Sequence, residues 1–137
     1  MNDLQQRIDA FLAGRRFAVV GASTDRAKYG NKVLRAYKQA GRDVVAINPK
    51  ANEVEGVPAF PDLRSLPEAV DAVSIITPPA VTEKIVEQAA EQGIRHVWMQ
   101  PGAESERAVE LAAEHGMNTI AGDACVLVML GYRESAE

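Results

Sequence analysis

The sequence is short of the residues that reactive chemistry most often needs. One cysteine, Cys125, stands among 137 residues. That excludes an internal disulfide framework and a multi-thiolate metal site, so no metal is expected, and it fits a reducing, cytoplasmic setting. There are two histidines, His96 and His115. One opens a strand and the other ends a helix, so both read as structural or surface residues. No H-E-x-x-H, no Ser-His-Asp order and no paired acidic motif appears. Aromatic residues make up 5% of the chain, and no stacking pattern suggests nucleic acid. Basic charge is not in excess: the net charge is -4. That argues against a partner held through phosphate backbones, while leaving room for one small phosphorylated ligand at a local basic spot. Long apolar runs are missing too, so nothing spans a bilayer. The opening MNDLQQRIDAFLAG lacks the cationic start and apolar stretch of a signal peptide.

What is present is ordinary for a globular protein: 47% hydrophobic and 25% charged residues. The length suits one domain over residues 1–137, without linker or repeat. Leu4, Ile8, Phe11 and Leu12 recur at helical spacing, predicting an N-terminal helix over about 2–13. FAVVG then reads as a buried strand, and NKVLRAYKQAG as a helix with Gly41 at its end. DVVAINP is a second strand. An extended piece follows at Val57 to Phe60, then a short helix near Ser65 to Ala69. DAVSIITPP, RHVWMQPG and NTIAG are further strands. AVTEKIVEQAAEQG and ESERAVELAAEHG are the helices between them. Trp98, Met99, Met117 and the run Leu127 to Leu130 read as core or as a surface buried by a partner subunit. Strands apolar throughout are covered on both faces. The expected fold is therefore α/β: a Rossmann-like three-layer arrangement with a mostly parallel sheet of about five or six strands and helices on both faces.

Right-handed crossovers place the C-terminal ends of such strands on one rim, where ligands bind. The segments that fall there are GASTDRAKYGN, NPKAN, TPPAV, QPGAES and GDACVLV. Turn chemistry alone explains any one of them; all five on one rim point to a small-molecule site. Gly21 allows a tight turn, and Ala22, Ser23 and Thr24 supply small side chains, hydroxyls and backbone N–H groups. The following helix turns its N-terminus to the loop, and Arg26 and Lys28 add mobile cations. This is a diphosphate cradle without the full G-x-G-x-x-G and without the G-K-[ST] of a P-loop. A valine at Gly21 is expected to fill the place of the diphosphate and leave the fold largely intact. At the end of the second strand, NAD-binding domains carry an acidic residue for the ribose. Here the stretch is Asn48-Pro49-Lys50. A lysine there suits a ribose phosphate, as in coenzyme A or NADP, and Pro49 offers a face to the adenine.

In order and spacing, VVGAST, YGNKV, VVAINPK, GVPAFPDLRSLPEAVDAVSIITPP, VWMQPGAES and GDACVLVML resemble the small CoA-binding proteins of the Rossmann type. They are similar as well to the N-terminal CoA-binding domain of the succinyl-CoA synthetase alpha subunit and of ADP-forming acyl-CoA synthetases. The likeness runs from about Phe17 to Gly131. It implies that Gly21, Ala22 and Ser23 surround the CoA diphosphate. Thr24, Lys28, Tyr29 and Gly30, in the same stretch, are further candidate binding residues. It places Asn48, Pro49 and Lys50 by the adenosine and its 3′-phosphate. Pro78 and Pro79 would line the nucleotide groove, with Thr77 before them a further candidate, and Pro101 and Gly102 would lie toward the pantetheine. Two departures remove cations from the rim: Thr77 and Ala124 stand where many relatives carry arginine.

The phosphohistidine domain of the synthetases has no counterpart here. Asp25, Asp123 and Cys125 are the only chemical groups expected near the rim. The expected function is non-catalytic binding of CoA or acyl-CoA, with no catalytic residue, and with a homodimer or a partner enzyme left open as protein partner. The alternative is a small NADP-linked oxidoreductase or another nucleotide-dependent enzyme. Cys125 reads equally as a core residue or as a thiol facing the end of the CoA arm.

Overall fold

Short apolar strands alternating with amphipathic helices give an α/β fold around one sheet. The computed structural model describes residues 3–122 and 125–134. In chain order the elements are α1 (Asp3–Leu12), β1 (Arg16–Val20), α2 (Tyr29–Gln39), β2 (Asp43–Ile47), β3 (Glu53–Val54) and β4 (Val57–Phe60). A 3-10 turn (Leu63–Ser65) leads to β5 (Ala72–Ile75), α3 (Pro79–Glu91), β6 (His96–Met99), α4 (Glu106–Glu114), β7 (Asn118–Ala121) and α5 (Val126–Met129). The sheet has seven strands in the order β3-β4-β2-β1-β5-β6-β7. Neighbours pair in parallel except β3, which runs antiparallel to β4 at the edge. That two-residue strand takes the count past the sequence expectation.

Alternation along each strand divides the core in two. Phe17 and Val19 face one side with Ala72, Trp98 and Ile120, covered by α1, α2 and α5 through Phe11, Leu34 and Val126. Ala18 and Val20 face the other side with Val73, Ile75, Val97 and Met99, covered by α3 and α4 through Val86 and Leu111. The scarce aromatics gather on the first side. Phe11 meets Trp98 edge-on at 5.2 Å between centroids, and Phe17 stacks on Tyr37 at 5.1 Å. Tyr37 Oη is satisfied within the core by Ser74 Oγ at 2.6 Å. Such buried aromatic pairs add about 0.5–1.5 kcal/mol beyond their area burial.

Three expectations change. Helix α2 begins at Tyr29, so Tyr29 and Gly30 belong to its first turn and not to the loop. The helix expected near Ser65 to Ala69 is only the 3-10 turn Leu63–Ser65, because Pro67 drives Leu66 to an extended ψ of 126°. Of the run after Cys125, Val126 is buried and Leu127 and Leu130 pack against the same core, as expected of core residues, whereas Val128 and Met129 are 70% and 40% exposed and only their place in the core is corrected. A single-turn helix offers one face to α2 and leaves the rest outward. Among the described residues no helix is long and apolar enough to cross a membrane.

Candidate functional site

The chain leaves β1 toward β2 on one side and later returns to β5 on the other. Strand order therefore reverses at the carboxyl end of β1, where a crevice opens in this class of sheet. Gly21 occupies that point with φ +93°, and a Cβ there would stand 1.9 Å from Ile76 O. The glycine is thus demanded by the close approach of the backbone to the end of β5. The expected effect of valine at this position is corrected accordingly: the conflict is with the fold, not with an open diphosphate space. Gly30 plays a matching part, since its Cβ would fall 2.0 Å from Gly21 O. Gly21 and Gly30 together do what closely spaced glycines do in a G-x-G-x-x-G turn: they bring helix, loop and sheet into contact.

The loop is held from beneath. Asn31, fully buried, donates from Nδ2 to Ser23 O at 2.8 Å and to Glu55 Oε2 at 3.1 Å. Asn48 Nδ2 donates to Ala22 O at 2.9 Å, and Asn48 Oδ1 accepts from Lys50 N at 2.7 Å. Ser23 Oγ accepts from Asp25 N, and Asp25 Oδ1 from Ala27 N, both at 3.0 Å. Arg26, expected to be a mobile cation, is bound to Glu55 Oε1 at 2.6 Å. The nearly buried Arg35 completes the brace through Asn31 Oδ1 and Arg26 O.

Two clefts open along this rim. The first, of about 430 Å³, has Gly21, Ala22 and Ser23 on one wall, Asn48, Pro49 and Lys50 on another, and Thr77 at its end. The second, of about 330 Å³, lies between Tyr29, Ile76, Thr77, Pro78, Pro101 and Gly102. Thr77 lines both, so the two clefts adjoin at that residue, along the rim at the switch point. Its hydroxyl meets Thr82 Oγ1 at 2.7 Å, which fixes the turn into α3. Thr24, Lys28, Gly30 and Pro79 line neither cleft. The first two are exposed on the loop, Gly30 is buried beneath it, and Pro79 is the first residue of α3. Asp25 is exposed and lines neither cleft, while Asp123 and Ala124 fall outside the described residues.

The structure adds a wall that sequence reasoning missed: Pro61, Asp62 and the α3 face Val81, Ile85 and Gln88. The spacing of those three along α3 was the available signal, and it reads as core until the helix is seen beside an open cleft. Asp62 is an acid in the cleft, but its Oδ1 already accepts from Ser65 N at 2.9 Å and Ser65 Oγ at 2.7 Å. At the far end of the groove Tyr29 Oη donates to Gln100 Oε1 at 3.0 Å and meets Cys125 Sγ at 2.6 Å. Burial first, and the Cys125 contact second, push the Tyr29 hydroxyl well above its ordinary pKa, so it stays neutral.

The histidines stand elsewhere. His96 begins β6, at the opposite rim, and its Nδ1 lies 3.0 Å from Asn118 Nδ2, which can only donate. Burial lowers its pKa. His115 is the exposed C-cap of α4. A cleft of about 540 Å³ also opens at the opposite rim, by Arg15, Asp71, Arg95 and His96. It lies at the amino ends of the strands, where the fold presents helix C-termini instead of N-termini. Among the described residues no cluster of His, Cys, Asp or Glu could hold a metal ion.

Comparison with known proteins bears on this groove. A family model described as a CoA binding domain matches residues 15–131. The chain is 34% identical over 77 residues to an ADP-forming acetate–CoA ligase of Archaeoglobus fulgidus, covering 56% of this chain and 11% of that one. The chain thus spans about a tenth of that relative's length. It is 28% identical to the uncharacterized protein YneT of Bacillus subtilis, covering 83% of this chain and 84% of that one. Among solved structures, a conserved hypothetical protein of Pyrococcus furiosus superposes with a TM-score of 0.79 at 36% identity, covering 84% of this chain and 98% of that one. The Rossmann-like sheet, the groove at its switch point and a family match across nearly all of both establish that this chain belongs to the CoA-binding domain family.

Proposed function

We propose that this protein binds coenzyme A or an acyl-CoA in the rim groove, without chemistry of its own, as a sensor, carrier or partner of another enzyme. The observation that carries this reading is that two clefts of the rim lie on either side of Thr77, which lines both. A nucleotide alone needs one cleft; a nucleotide with a long narrow arm needs both. The apolar floor of Val20, Ile47 and Pro49 suits an adenine, and Lys50 at the mouth suits its ribose phosphate. Gly21, Ala22 and Ser23 would face the diphosphate. Thr77 and Pro78 would pass the pantetheine on to Tyr29, Pro101 and Gly102. Among the described residues that line the two clefts, the polar side chains are amides, hydroxyls, one lysine and one carboxylate bonded to Ser65, with the Cys125 thiol against Tyr29. That set holds a ligand in place and offers no base poised for hydride or phosphoryl transfer. The ligase activity of the larger relatives is theirs, carried by chains of which this one matches a small part.

Native mass spectrometry of the purified protein tests this reading. The expected spectrum shows a retained CoA or acyl-CoA, or one equivalent taken up from added CoA. A folded protein that takes up none at micromolar concentrations contradicts it.

A further inference from the structure

We propose that Cys125 captures the thiol end of the bound ligand as a reversible mixed disulfide, which makes the groove a redox-sensitive covalent site. This rests on the CoA reading above. Cys125 is the only cysteine of the chain, half-buried, with Sγ 2.6 Å from the hydroxyl of Tyr29. Tyr29 itself lines the second cleft, where the arm of the ligand would end.

An independent feature at the same place points to a ligand. Gln100 has no exposed surface. Its Oε1 accepts from Tyr29 Oη and from Val126 N, both at 3.0 Å, while its Nε2 has no partner among the described residues. A buried donor without an acceptor costs about 1–3 kcal/mol, and native proteins rarely leave one unless a ligand or water completes it. The next two residues, Pro101 and Gly102, line the second cleft. The last amide carbonyl of a pantetheine arm is an acceptor that would suit this amide. The cysteamine unit beyond that carbonyl would then carry the sulfur the short step to Cys125, whose neighbour Val126 is bonded to the same glutamine.

The hydrogen bonds suit exchange. Tyr29 Oη donates a hydrogen bond to Gln100 Oε1, which leaves Oη to accept from the thiol of Cys125. Once the thiol ionises, the Tyr29 hydroxyl can turn to the sulfur instead. The Cys125 thiolate attacks one sulfur of the symmetric disulfide of CoA. The Sγ–S bond forms as the ligand's S–S bond breaks. The Cys125 sulfur is oxidised, the departing sulfur is reduced, and the leaving CoA thiolate takes up the proton that Cys125 lost. A second thiol reverses the step.

The test exposes the full chain separately to CoA disulfide and to glutathione disulfide, and follows intact mass without reductant. Binding of reduced CoA is measured by calorimetry in parallel. The expected result is one adduct, removed by dithiothreitol, absent in Cys125→Ser, and formed at least about tenfold faster with CoA disulfide, because the bound nucleotide raises the local concentration of the disulfide at Cys125. Adenosine 3′,5′-bisphosphate should slow it. Tyr29→Phe should lower the adduct rate more than the affinity for reduced CoA. Equal rates with the two disulfides would make Cys125 an ordinary accessible thiol and overturn the proposal. No adduct with reduced CoA still binding overturns covalent capture alone. No binding of reduced CoA removes the CoA reading with it.

Discussion

At the scale of single residues, two glycines and one histidine carry separable consequences. A methyl at Gly30 would stand 2.0 Å from Gly21 O, a contact between backbone atoms that cannot yield cheaply. Gly30→Ala should cost about 2–3 kcal/mol. Gly41 has φ +72° and nothing within 4 Å of a new Cβ, so Gly41→Ala should cost only about 1 kcal/mol of conformational strain. Thermal unfolding of the two variants checks this, and equal losses would show that Gly30 is not a contact point. His96 carries a pH dependence. Its pKa is lowered by burial, so the unfolded chain binds the proton more readily than the folded one. Its contribution is present above the ordinary histidine pKa of about 6.5 and is lost as pH falls toward the depressed folded value. Protonation would also break the bond from Asn118. Melting temperature should therefore fall from pH 7 to pH 5, and His96→Gln should flatten that slope. An unchanged slope in the variant would assign it to other groups.

At the scale of elements, the β3–β4 turn acts on the β1–α2 loop from a distance. Glu55 has φ +52°, an uncommon conformation for a side-chain residue, and it is followed by Gly56 at φ +82°. Its carboxylate holds Arg26 and Asn31, and its carbonyl accepts from Lys38 Nζ. Glu55→Ala should weaken ligand binding several-fold and destabilise by about 1–3 kcal/mol. Glu55→Gly loses the same carboxylate but relieves the backbone, so it should unfold at a higher temperature than Glu55→Ala. The reverse order would contradict the strain argument. This brace was not legible in the sequence, because Arg26 and Asn31 lie 29 and 24 positions from Glu55. The strands were legible, since FAVV, DVVAI and AVSI are apolar runs bounded by turn residues. The start of α2 was not: Tyr29 and Gly30 look like loop until Gly21 O is seen against Gly30. The apolar run after Cys125 likewise hides that α5 is one turn long and exposes Val128 and Met129.

At the scale of the whole molecule, the order of the strands decides where a ligand can lie, and the loops decide which ligand. Placing five turn-rich segments on one rim followed from parallel topology, and the structure brings Gly21, Asn48, Pro49, Lys50 and Thr77 together there. The wall from α3 and from Pro61 and Asp62 was hidden, because a helix face that lines a cleft has the same apolar pattern as one that fills a core. The central claim is that this groove holds CoA, with Lys50 on the 3′-phosphate. Calorimetric titration with CoA, 3′-dephospho-CoA and NADPH tests it most directly. Lys50 is exposed, so the account predicts that CoA binds about tenfold more tightly than dephospho-CoA at low salt. That ratio should shrink with added salt and vanish in Lys50→Ala, with NADPH weaker than CoA. Tight binding of NADPH with none of CoA would contradict it.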